Sequence, residues 1–218
     1  MQIPLQFSTE DTDQLKEFLN IGVSHAGTKL SELVGRRVTI SVPSMQIKSA
    51  QTASDFIIEN PDDITMAILL RLSGGIDGYV LLFFPHTAAV HLLHALSGKT
   101  VGDLRALTEF DRSAFQEVGN VLTGGMLTGL SQFLHVPLLQ SVPDVAIDMG
   151  GAMFNSLFAT MIAHHDEFLS LDVSICVDAS SDAITCDEGE QAVGRMFLLL
   201  GPETAGRILE ITHRMSTL

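Results

Sequence analysis

A chain of 218 residues with 46% hydrophobic content can bury a sizeable core, as one large domain or as two intimately packed halves. Its 26 Asp and Glu outnumber 12 Lys and Arg, and the formal charge of −14 argues against nucleic acid and anionic membrane as partners. The longest apolar run, "YVLLFF", is far short of the roughly 20 residues of a membrane span, so no membrane insertion is expected. The opening "MQIPLQFSTE" has neither the basic nor the apolar region of a secretory signal, and Cys176 and Cys186 have no paired-spacing motif. A cytoplasmic chain with free thiols is expected.

In chain order, Ser8 or Thr9 offers capping chemistry ahead of "EDTDQLKEFLN", and Leu15, Phe18, Leu19, Val23, Ala26, Leu30 and Leu33 recur at helical spacing. A long first helix is predicted. "RRVTISVPSMQI" then alternates as a strand does, and Pro43 inside the pattern marks an edge strand or a bulge. After the polar "SAQTASDFIIENPDD", "MAILLRLSGGIDGYVLLFF" reads as a hairpin about a Gly-rich turn, and a short helix opens at His86 behind Pro85. Thr108 caps a second long helix carrying Phe115, Val118, Leu122, Met126, Leu130 and Phe133, and "VPLLQSVPDVAI" repeats the proline-interrupted strand. "GGAMFNSLFATMIAHH", 150–165, has the Met153, Leu157, Ile162 spacing of an added helix. A second hairpin with a long polar connection at 178–192 follows, and a closing helix begins near Glu203 behind Pro202. Runs of strands with helices on one side give an α+β fold.

The chain is also internally repeated. A shift of one hundred positions aligns Glu17 with Glu117, Asn20 with Asn120, and Thr28, Leu30 and Ser31 with Thr128, Leu130 and Ser131. It also aligns the two "SVP" segments at 41–43 and 141–143, and Ile47 with Ile147. Later the offset grows, "PHTAAVHLL" from Pro85 matching "PETAGRILE" from Pro202, and the residues added lie around 150–165. The expectation is a single domain of two homologous halves, about 8–100 and 106–214. Their strands should join in one continuous, mainly antiparallel sheet about a pseudo-two-fold axis.

Positions 13, 17 and 20 of a helix fall within roughly 60° of one another. Asp13, Glu17 and Asn20 therefore share a face opposite Leu15, Phe18 and Leu19, and Ser113, Glu117 and Asn120 do the same in the copy. A lone exposed Glu is ordinarily just solvated. Asn, however, is a poor helix-interior residue because its short amide competes for the backbone. Its retention in both copies, amid letters that have changed, points to a function.

The pattern of Asp or Ser, three residues, Glu, two residues, Asn, twenty-two residues, Pro resembles the motif of the CheC, CheX and FliY phosphatases of chemotaxis. Asp13, Glu17, Asn20 and Pro43 satisfy it once, and Ser113, Glu117, Asn120 and Pro143 satisfy it again. "KLSELVGRRVTISVP" and "EVGNVLTGGMLTGLSQFL" are similar to CheC sequence, and the resemblance covers essentially the whole chain. Two intact copies, without an added switch domain, match the CheC branch. The resemblance implies a CheC-like fold and hydrolysis of the aspartyl phosphate of a CheY-like response regulator. Asn20 and Asn120 would orient the attacking water, and Glu17 and Glu117 would anchor the regulator. It implies no cofactor in this chain, a divalent metal such as Mg in the regulator, and the receptor deamidase CheD as a further partner. The alternative is an interaction module with little or no catalysis that regulates a partner such as CheD.

Other constellations carry less. His164, His165, Asp166 and Glu167 are adjacent and so point in different directions, which suits a solvated loop better than a metal site. Asp13, Glu17 and Asn20 as a cation site fails in the copy, where Ser113 leaves one carboxylate. His91 and His94 share a helical face with apolar neighbours and read as packed or partly exposed surface. The glycines of "SGGIDG" and "LTGGMLTG" lack the phosphate-loop pattern and are explained by turns and close helix packing.

Overall fold

The computed structural model describes residues 8–49, 60–162, 167–177 and 194–215. The polar 178–192 connection, Cys186 and the His164, His165 and Asp166 cluster lie outside these residues. In chain order the elements are α1 (Thr9–Val34), β1 (Val38–Ser49), β2 (Ile64–Gly74), β3 (Gly78–Pro85) and α2 (His86–Ser97). A 3-10 turn (Leu104–Ala106) leads to α3 (Glu109–Leu134), β4 (Leu138–Gln140), β5 (Asp144–Met149), α4 (Gly150–Ile162), β6 (Glu167–Val177), β7 (Gly194–Leu200) and α5 (Pro202–Met215).

The apolar stripe of α1 buries Leu15, Leu19, Val23, Ala26 and Leu30. Leu33, expected in that stripe, is 41% exposed. In the last turn the buried face rotates toward the sheet, so Val34 and Val38 are covered instead. Both long helices end on a left-handed residue at matching positions, Gly35 at φ 64° and His135 at φ 52°. Thr108 caps α3 as expected, and the cap is reciprocal: Asp111 N donates to Thr108 Oγ1 at 3.3 Å, and Thr108 N donates to the Asp111 carboxylate at 3.0 Å. Asp111 is buried, and Lys99 Nζ donates to its other oxygen at 2.8 Å.

Among the described residues the strands form a seven-stranded sheet in the order β1-β6-β7-β3-β2-β4, with β5 also against β2. Each half lends its first strand to the other. β1 pairs antiparallel with β6 from Val38 opposite Val177 to Ser49 opposite Glu167. The second half's β4 and β5 pair with β2, Leu138 opposite Gly74 and Met149 opposite Ile64. With each strand exchanged for its sequence counterpart the order reads the same from either end, as a two-fold relation requires. The two prolines act as expected. Pro43 falls in the β1 register shift between Ser41 and Ser44, and Pro143 falls in the gap that splits the second copy into β4 and β5.

β2, β3 and β7 are covered on both faces, which is why "YVLLFF" is apolar without alternation. One face, with Met66, Ile68, Leu70, Val80, Leu82, Phe84, Met196 and Leu198, packs under α1 and α3. The other presents Ala67, Leu81, Phe83, Phe197 and Leu199 to Met153 and Phe154 of α4. Glycine lets α1 and α3 touch through their backbones. A Cβ on Gly22 would lie 2.7 Å from Gly125 O, and one on Gly125 would lie 2.4 Å from Ala26 Cβ and 2.8 Å from Ala26 N. Gly22 faces Gly129 while Ala26 faces Gly125, so the helices cross in antiparallel sense.

Candidate functional site

Both motifs sit on the solvent side of the crossed helices. Asp13, Glu17 and Asn20 are exposed along α1, with Leu15 and Leu19 buried behind them. On α3, Ser113 and Glu117 are exposed and Asn120 is half-buried. Since the helices run antiparallel, the two asparagines lie to opposite sides of the crossing, each about 8 Å from it along its own axis. The chain therefore presents two separate ledges.

Among the described residues, no hydrogen bond or ion pair engages the side chains of Glu17, Asn20 or Glu117, so both carboxylates and the Asn20 amide face outward with free valences. Ser113 is satisfied locally, its Oγ donating to Glu109 O at 2.9 Å in its own helix.

The long spacing from Asn to Pro has a structural reason in the second copy. After α3 the chain returns along β4, and Pro143 is buried back against the helix. A Cβ on Gly119 would lie 3.4 Å from Pro143 Cβ, and Gln116 Nε2 donates to Pro143 O at 3.0 Å. Arg112 NH1 reaches Val145 O at 3.4 Å. The proline thus braces the turn of α3 that carries Glu117 and Asn120, while taking no part in the exposed face itself. In the first copy the backbone of Pro43 belongs to β1, and its side chain is outside the described residues.

One contact was not foreseen from the sequence. Gln140, on β4, places Nε2 3.3 Å from Asn120 O and 3.4 Å from Asn120 Oδ1. The matching position of the first half is Ile40, and this single difference between the copies was the only signal available. Among the described residues, no three of His, Cys, Asp and Glu converge to hold a metal ion. No described helix is long and apolar enough to cross a membrane.

The chain matches no protein-family model. It is 30% identical over 168 residues to the CheY-P phosphatase CheC of Bacillus subtilis (strain 168), spanning 76% of this chain and 80% of that protein. It belongs to the CheC/CheX/FliY family. Among solved structures, FliY of Thermotoga maritima aligns with a TM-score of 0.70 at 18% identity, over 96% of this chain and 99% of that one. CheX of Borrelia burgdorferi, solved as a CheX-CheY-BeF3-Mg2+ complex, aligns with a TM-score of 0.51 at 13% identity, over 85% and 99% of the respective chains. The α+β arrangement of long helices on an antiparallel sheet is therefore the family's fold.

Proposed function

We propose that this member of the family hydrolyses the aspartyl phosphate of a CheY-like response regulator, using Glu17 with Asn20 and Glu117 with Asn120 as two independent sites. The observation that carries the reading is that each motif sets an unpaired carboxylate and, one turn on, an amide on the solvent side of its helix, Asn20 exposed and Asn120 half-buried. Such a ledge suits insertion into a partner's cleft better than enclosure of a small molecule. Membership in a family that includes a CheY-P phosphatase, and a fold shared with a CheX solved in complex with CheY, BeF3 and Mg2+, support the same reading.

Phosphoryl transfer to water passes through a loose transition state and needs little covalent help from protein. What it needs is a water held in line with phosphorus, and a carboxamide with one donor end and one acceptor end can hold it. Glu17 and Glu117 would pair with a basic group beside the regulator's phosphoaspartate, fixing where the amide enters. A divalent cation such as Mg, bound by the regulator, supplies the charge neutralisation that these ledges lack. CheD is a further partner under this reading, and control of CheD without turnover is the competing one.

Dephosphorylation of a purified phosphorylated regulator tests it. Asn20→Ala and Asn120→Ala should each remove part of the acceleration, and the double variant nearly all of it, with regulator binding retained. A double variant that still accelerates dephosphorylation at close to the parent rate would leave the interaction module as the better account.

A further inference from the structure

The two asparagines are not held alike. Gln140 Nε2 lies between two oxygens of the same residue, 3.3 Å from Asn120 O and 3.4 Å from Asn120 Oδ1. A backbone carbonyl can only accept, so the end of Gln140 beside it must be the NH2. The side-chain atom of Asn120 facing that same NH2 must then be its oxygen. Which way each amide points, ordinarily ambiguous, is thereby settled for both. Asn120 turns Oδ1 toward β4 and leaves Nδ2 free to face outward. In the first half, Ile40 stands where Gln140 would be and has no donor, and Asn20 is exposed without a partner among the described residues.

Gln140 is a costly choice for stability. Its Oε1 is buried with no partner among the described residues, and an orphaned buried acceptor is unfavourable. A residue kept only for packing at this place would be apolar, as Ile40 is in the other half.

We infer that Gln140 is a positioning residue, one that fixes the orientation of the Asn120 carboxamide, with Nδ2 outward and Oδ1 held through one of its two lone pairs so that the other stays available to the reacting water. This rests on the proposed role of Asn120, and it makes the second site preorganised and the first dependent on the regulator to orient its amide.

The test uses the full chain carrying Asn20→Ala, so that only the second site turns over a phosphorylated regulator. Adding Gln140→Leu, which removes both the donor and the orphaned acceptor, should lower kcat about tenfold at unchanged KM, because a misdirected amide costs orientation and not docking. Gln140→Glu, similar in shape but without a donor, should fall at least as far. The melting temperature of Gln140→Leu should stay level or rise. In the Asn120→Ala background, where only the first site works, Gln140→Leu should change nothing. An unchanged kcat for Gln140→Leu beside Asn20→Ala overturns the inference, and so does a loss matched by a lower melting temperature or by an equal loss at the first site. If Asn120→Ala itself fails to lower turnover beside Asn20→Ala, the proposed function fails instead, so the two failures are told apart.

Discussion

The α1–α3 crossing can be tested by adding one methyl group. In Gly125→Ala the new Cβ would lie 2.4 Å from Ala26 Cβ and 2.8 Å from both Ala26 Cα and Ala26 N. Carbon atoms pack at about 3.5–4.0 Å, so the helices must part by roughly 1 Å. The obstacle is largely backbone and cannot swing aside as a side chain would. Overpacking of this kind costs about 1–3 kcal/mol, and more where backbone must move, against a helix-propensity gain for Ala over Gly of about 1 kcal/mol. A net loss of about 2 kcal/mol follows, a fall in melting temperature of roughly 4–8 °C for a chain of this size. Gly124 provides the internal control, since a Cβ there meets nothing nearer than Gln140 Oε1 at 4.0 Å. Gly124→Ala should gain up to about 1 kcal/mol from propensity alone. Urea or thermal unfolding of the two variants side by side measures the difference. Equal stabilities, or a stabilising Gly125→Ala, would refute backbone contact between the helices.

Glu17→Ala and Glu117→Ala should each raise the KM for phosphorylated regulator as well as lower turnover, and the effect should shrink as salt screens the parent's attraction, which stopped-flow at two ionic strengths would show. The hydrogen bond from Lys99, with those from Thr108, lowers the Asp111 carboxyl to about 2, below its ordinary range. Its folded value is lower than its unfolded one, so the stabilisation is complete above about pH 4 and is lost as pH falls toward 2. Asp111→Asn should therefore destabilise the protein by about 1–2 kcal/mol at neutral pH and flatten that part of its acid-unfolding curve, read by circular dichroism.

Much of this was legible because it is local or periodic. The shared face of Glu17 and Asn20 follows from helix geometry, and Pro43 and Pro143 announce interrupted strands because proline cannot donate to a ladder. In the second copy the interruption is a full break, because Pro143 turns back onto Gly119 and divides the strand into β4 and β5. The burial of Asp111 goes with Lys99 arriving from a preceding loop, a contact that its first-turn position does not encode. Leu33 and Val34 exchange roles where the helix meets the sheet, which a stripe read along one helix does not register. The grip of Gln140 on Asn120 is a contact between a helix and an edge strand, and no local pattern encodes it.

The exchange of first strands sets a timetable for synthesis. β1 leaves the ribosome early, yet its ladder partner β6 is made only after all of β2 through α4, so Val38 waits for Val177 and Ser49 for Glu167. Until then the nascent chain carries an unpaired strand edge and an α1 whose backbone contact, Gly125, has also yet to be translated. Such long-range pairings slow folding and leave an open template for stray association. Completion of the sheet and of the helix crossing therefore falls late in synthesis, after β6 and α3 have both been made.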